Sequence, residues 1–182
     1  MYLMNKNLEY FLYTIAGILA FVIITFIIIG IVKIIKTKNM YKEVFNTLNS
    51  YASNKEMTVS KVKTFGFDYL VEEKTKLTYI KVIPNFFNFE ININNKYMWQ
   101  IRKSFSDNDL FFVPDIEIPM RANFKDSTKP VQKIFIIYPS AKQLLYALNE
   151  CEYEFVYHNT NIYGAKVMTY TNLKYLIDRQ ND

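Results

Sequence analysis

The sequence predicts an α+β protein: one N-terminal transmembrane helix, followed by a mixed sheet of antiparallel hairpins completed by a C-terminal strand-helix-strand unit. Three observations lead there. Tyr10 to Val32 runs for 23 residues without a charge. Residues 58–103 alternate apolar and polar side chains, the period of a half-buried strand. Residues 133–157 begin with a wholly apolar run, Ile134 to Tyr138, and continue into a segment of helical period. The expected boundaries are a short extracytoplasmic N-terminus over 1–9, a transmembrane helix over 10–35 and a cytoplasmic α+β domain over 36–182.

The first element follows from length and composition. A helix over 23 residues reaches roughly 35 Å, enough to cross a hydrocarbon core of about 30 Å. A secretory signal would have an apolar core of about 7–15 residues and a small-residue cleavage site, whereas this run leads directly into Lys33, Ile34, Ile35 and Lys36. Its Ile, Val and Phe residues fall on every face, unlike the stripe of a soluble core helix. Lys33, Lys36, Lys38 and Lys42 flank its C-terminal end, against Lys6 and Glu9 on the other side. The positive-inside rule then places the following domain in the cytoplasm. The lipid bilayer is the first expected partner, and the flanking lysines can snorkel or meet anionic headgroups.

Composition bounds the rest. The chain carries a net charge of +5, but from Met40 onward 18 Lys/Arg face 16 Asp/Glu. The excess therefore sits beside the apolar run, and charge gives no support to nucleic-acid binding. The single cysteine, Cys151, has no partner in the chain and fits a reducing compartment.

The domain opens with Met40 to Ala52, where Tyr41, Val44, Phe45, Leu48, Tyr51 and Ala52 recur at helical spacing after a short expected break at Lys38 and Asn39. Phe65, Phe67, Tyr69 and Val71 fall on one face of a strand, which pairs with Leu77 to Ile83 across the polar turn Glu72 to Lys76. Phe89 to Ile93 and Tyr97 to Arg102 form a second hairpin around Asn94 and Asn95, because Asn tolerates the backbone of tight turns. Ser104 to Pro130 reads as a long loop containing Asp107, Asp109, Asp115 and Glu117, in which Ile116 and Ile118 pin an extended VPDIEIP piece to the core. Asp107 and Asp109 have the spacing that opens a calcium loop, but Phe111 and Phe112 stand where a third ligand and the turn glycine belong. Ser140 and Gln143 are spaced as a capping box for a helix burying Ala141, Leu144, Leu145 and Leu148. Tyr153 to Tyr157 would return as a strand by a parallel crossover. Gly164 suits a turn before the extended Lys166 to Tyr170, and Thr171 to Ile177 forms a terminal helix burying Leu173, Leu176 and Ile177.

This order of elements, with Asp68 on one strand and Ile80-Lys81-Val82 on the next, resembles the restriction-endonuclease-like superfamily, the PD-(D/E)xK nucleases. In that family an acid on one strand and an acid-x-lysine on the next hold magnesium and activate water. The resemblance implies Asp68 as the first acid and metal ligand, and Lys81 as the lysine. Tyr79 occupies the second acid's position, and a tyrosine cannot replace a carboxylate there. Glu43, the candidate for the family's helical glutamate, lies about 140° from the centre of its helix's apolar stripe. The hairpin between Phe89 and Arg102 is an addition to the family plan. The resemblance covers about half the domain and implies a degenerate, inactive member.

Other chemistries lack their parts. The one histidine, His158, sits in a polar run, and with Cys151 it makes two potential zinc ligands where about four are needed. Four glycines and no Gly-x-Gly-x-x-Gly or Walker sequence leave little for a phosphate loop. The expectation is a membrane-anchored, non-catalytic interaction or scaffold module with no cofactor and a protein partner at the cytoplasmic membrane face. The rival is a tethered nuclease-like enzyme using Asp68 and Lys81, with magnesium and an acid from Glu72, Glu73 or the acidic loop.

Overall fold

The computed structural model describes residues 2–53, 55–103, 110–149, 152–157 and 160–181. Asp107, Asp109, Cys151 and His158 lie outside them. The chain divides into two compact units, Met1–Asn39 and Met40–Asp182.

Helix α1 (Tyr2–Ser53) contributes to both units and runs without interruption through Lys38 and Asn39, where a break was expected. Neither residue removes a backbone donor or forces a turn, so the hydrogen-bond ladder has no reason to stop. In the first unit an 18-residue stretch has a mean hydropathy of 3.1 and no part of it is buried. This helix is long and apolar enough to cross a membrane. Its hydroxyls are satisfied locally: Thr14 donates to the Tyr10 carbonyl and Thr25 to that of Phe21, both at 2.8 Å. Such back-bonding lets a hydroxyl sit in an apolar helix without an orphaned donor.

The second unit is α+β and contains two mixed sheets where one was expected. In the first, β1 (Thr58–Lys61), β2 (Tyr69–Glu72), β3 (Leu77–Pro84), β7 (Val131–Tyr138), β11 (Ala165–Thr169) and β10 (Asn161–Ile162) lie side by side in that order. The β1, β2 and β3 neighbours are antiparallel, whereas β7 runs parallel to both β3 and β11. The second sheet has the order β6 (Leu110–Phe112), β5 (Trp99–Arg102), β4 (Glu90–Ile93), β8 (Leu144–Ala147) and β9 (Tyr153–Phe155). Among the described residues the remaining α-helices are α2 (Glu117–Arg121) and α3 (Tyr170–Asn181).

Two apolar cores flank the six-stranded sheet. On one face Met40, Val44 and Leu48 of α1 meet Tyr69, Val71, Ile80, Val82, Ile136 and Met168, with Leu173 of α3 against them. The buried helical positions thus include Met40, while Tyr41 and Phe45 flank them half-buried. The other face packs on the second sheet through Phe67, Ile83, Phe135, Ile91, Ile93 and the completely buried Trp99. Strand β7 touches both cores, which explains why its IFIIY run is apolar on both sides: Phe135 and Ile137 face one and Ile136 the other.

Several local expectations need correction. The strand-helix-strand unit is a succession of strands: residues 144–147 form β8, parallel to β4 and antiparallel to β9, with no helix among the described residues between β7 and β9. Ser140, the expected cap, donates its hydroxyl to Asn88 Oδ1 at 2.7 Å, and its carbonyl accepts from Asn85 Nδ2 at 2.9 Å. With the cap engaged elsewhere and the edge of β4 open to pairing, the short apolar run joins the sheet, an override of local propensity by tertiary context. The strand expected from Phe65 begins only at Tyr69, because Phe65 adopts a positive φ of 52° in a 3-10 turn. Phe67 and Tyr69 consequently enter opposite cores. The VPDIEIP piece contains α2, not an extended segment: Pro119 lies in its first turn, where a missing N–H costs nothing, and Glu117 pairs with Arg121 at 2.7 Å. Ile116 is buried as expected, but Ile118 is 57% exposed. The second hairpin forms around Asn94 and Asn95, and Asn95 Oδ1 accepts from the N–H groups of Tyr97 and Met98.

Candidate functional site

The β2–β3 hairpin brings Asp68 and Lys81 together. Tyr69 opposes Ile80 in the register, and the Asp68 N–H donates to the Ile80 carbonyl at 2.9 Å, so Asp68 lies beside Lys81 at the mouth of the pairing. Lys81 Nζ is 3.6 Å from Asp68 Oδ2, and the two side chains are only 16% and 18% exposed. The same oxygen accepts the Val82 N–H at 2.8 Å. Tyr69, next in the chain, donates its hydroxyl to the Tyr41 carbonyl of α1 at 2.7 Å. Asp68 therefore ties its own strand to β3 through a backbone amide and an ammonium, while Tyr69 ties the same strand to α1.

Electrostatics at this joint are set by burial. Loss of water raises the Asp68 carboxyl above its ordinary pKa, although the Val82 N–H, Lys81 and Tyr41 oppose the shift. Burial, followed by the neighbouring Asp68 charge, raises the Tyr41 and Tyr69 hydroxyls as well. A shallow cleft of about 450 Å³ opens here between Tyr41, Lys61, Val62, Lys63, Asp68 and Tyr69. Lys61 leans over the Phe45 ring at 4.9 Å, so the cleft is lysine-rimmed around one carboxylate.

The other acids considered for a metal site lie elsewhere. Glu43 accepts the Tyr138 hydroxyl at 2.6 Å. Glu72 pairs with Lys129 at 2.7 Å and Glu73 with Lys76 at 3.1 Å, at the far end of the hairpin. Glu72 lies four residue steps of extended chain from Asp68, roughly 13 Å. Tyr79, at the position of the second acid, stacks on Phe124 with ring centroids 4.4 Å apart. Among the described residues, no group of three or more His, Cys, Asp or Glu side chains is placed to hold a metal ion. Asp68 and Lys81 thus meet without Glu43, Glu72 or Glu73. The flanking lysines Lys33, Lys36, Lys38 and Lys42 are exposed.

The structure also contains a site that sequence reasoning missed. On the helical face of the six-stranded sheet, a partly enclosed cavity of about 270 Å³ lies between Leu48 and Tyr51 of α1, Leu173, Leu176 and Ile177 of α3, and the strands beneath them. Its floor includes Ile134, Ile136 and Met168, with Thr78, Gln132 and Lys166 also lining it. One sequence signal pointed to it: Lys166 shares the strand face of Met168, a charge on an otherwise apolar side. No family model matches the chain, and neither a curated protein nor a solved structure matches it.

Proposed function

We propose that this is a single-pass membrane protein whose C-terminal domain lies on the cytoplasmic side and acts by binding a protein partner at the membrane face. The observation that carries the reading is the unburied apolar stretch of α1, with a mean hydropathy of 3.1 and lysines concentrated on its C-terminal flank. The Asp68 joint supports a binding role over a catalytic one, since its carboxylate is engaged by Val82 and Lys81. The full chain should stay with membranes after alkaline carbonate washing, and protease added to sealed inside-out vesicles should digest residues 36–182. Release by carbonate, or protection of the domain in those vesicles, refutes the topology. Cross-linking in the native membrane should capture a protein on the domain surface, and its absence at saturating cross-linker counts against the partner.

A second reading is favoured by one observation, the 3.6 Å approach of Lys81 to Asp68. As a tethered nuclease-like enzyme the domain would use these two residues with magnesium and a further carboxylate. Magnesium-dependent cleavage of DNA or RNA that disappears in Lys81→Ala would establish it. An inactive wild-type chain would remove it.

A further inference from the structure

The cavity on the helical face of the six-stranded sheet has a polarity gradient along its strands. At its inner end Ile136 and Met168 line it, in a cross-strand row with Val82 across β3, β7 and β11. These three belong to the buried core. The next row is Ile80, Ile134 and Lys166, apolar until its last member. Beyond it Thr78 opposes Gln132, and both line the cavity with Lys76 and Glu73. The roof of Leu48, Leu173, Leu176 and Ile177 is aliphatic.

Charge at the open end is lopsided. Glu73 is paired with Lys76 at 3.1 Å, which neutralises both. Lys166 has no carboxylate within ion-pair distance among the described residues, and its side chain is half-buried beside an apolar floor. A second, contiguous recess shares Lys76, Gln132 and Lys166 with the cavity and adds Asn161 and the Gly164 turn. An apolar chamber thus opens onto a pocket of amide groups and an ammonium with no counter-ion among the described residues.

From this gradient we infer that the cavity binds a single-chain anionic amphiphile, with the alkyl tail between α1, α3 and the Ile134–Ile136–Met168 floor and the acidic headgroup at Lys166 and Gln132. A volume of about 270 Å³ lies just below the usual range for small-molecule sites, roughly 300–1,000 Å³, and suits one chain better than two. The tail supplies affinity through burial, and Lys166 supplies the preference for an anion, by charge and hydrogen bonding. The inference goes beyond the proposed protein partner and does not depend on it, because its test reads ligand binding alone.

The test uses the full chain in phosphatidylcholine nanodiscs with a ten-carbon alkyl phosphate carrying a terminal diazirine. Photolysis and peptide mass spectrometry should find saturable labelling in residues 131–138 and 170–177. Unlabelled alkyl phosphates from hexyl to decyl should displace it with about fourfold gain per methylene in free concentration, and the gain should stop once the cavity is filled, unlike bilayer partitioning. Lys166→Glu should weaken decyl phosphate about tenfold while leaving decanol unchanged. Leu176→Trp, at a half-buried position, should abolish displaceable labelling. Labelling confined to residues 10–32, a chain-length gain that never levels off, or an unchanged phosphate-to-decanol ratio in Lys166→Glu would overturn the inference. The wild-type series and the Lys166 ratio stand even if Leu176→Trp does not fold.

Discussion

Replacing Asp68 by alanine and by asparagine separates what its charge does from what its oxygen does. In Asp68→Ala the Val82 N–H loses its acceptor at 2.8 Å, and an unsatisfied buried donor costs about 1–3 kcal/mol. Lys81 also loses its partner, but at 16% exposure it can still reach water, adding up to about 1 kcal/mol. The expected loss is about 1–4 kcal/mol. Asp68→Asn keeps an acceptor for Val82 and removes a charge that burial disfavours, so it should lie within about 1 kcal/mol of the wild type. Trp99 provides the assay: it is the sole tryptophan and is completely buried between the two sheets, so its fluorescence during unfolding reports this domain alone. The pH dependence has a definite sign. Because the folded-state pKa of Asp68 is raised, the native state holds its proton where the unfolded state has released it. The stability contributed by this group is therefore complete below the ordinary carboxyl range and is lost as pH rises through the raised value. The wild type should lose ground to Asp68→Asn over that interval. An asparagine variant as unstable as the alanine one, or one that gains nothing with rising pH, would refute the assignment of the joint to hydrogen bonding.

Further perturbations test the frame around the joint. Asn85 is 4% exposed; its Nδ2 donates to the carbonyls of Phe89 and Ser140, and its Oδ1 accepts the Phe89 N–H. Asn85→Ala should cost about 2–4 kcal/mol by Trp99 fluorescence, and Asn85→Asp should rescue little because it loses the donors. Gly66 and Gly164 both have positive φ, but a Cβ at Gly66 would come within 3.2 Å of Pro119 Cδ, whereas one at Gly164 would meet nothing. Gly164→Ala should cost about 1 kcal/mol and Gly66→Ala measurably more in the same denaturant titration, with a reversed order counting against the seating of α2 on the 3-10 turn. Leu48→Ala should lose about 2–5 kcal/mol as a large-to-small change in the helix-facing core.

The features legible in the sequence were those governed by short-range periodicity or by sheer length. The apolar stretch of α1, the hairpin of β4 and β5 and the central character of β7 follow from composition and alternation alone. What escaped was decided by distant partners. The segment around Leu144 has helical spacing but is captured by the open edge of β4, more than 50 residues earlier in the chain. Asn92 lies on the side of β4 that alternation marks as polar, yet it is fully buried between β5 and β8, opposite Gln100 and Leu145. At the candidate site the i, i+2 spacing of Tyr79 and Lys81 was readable, and so was the pairing that sets Lys81 near Asp68. That the neighbouring Tyr69 is bound to the Tyr41 carbonyl depends on the docking of α1, which no local pattern encodes. The cavity under α3 escaped for the same reason, since its walls come from six separate elements.

The parallel placement of β7 between β3 and β11 also governs how the chain is made. Strand β3 ends at Pro84 and its neighbour begins at Val131, so 46 residues must leave the ribosome before that edge is closed. At about 5–20 residues per second this leaves β3 unpaired on one side for roughly 2–9 s, with an apolar ladder of Ile80, Val82 and Ile83 on display. No local rearrangement can shorten that interval, because the missing strand does not yet exist, and long-range pairing is slow once it does. Nascent chains arrested before Val131 should therefore be the species that chaperones hold and that aggregates recruit, whereas chains extended past Thr169 can close the sheet on both sides of its central strand.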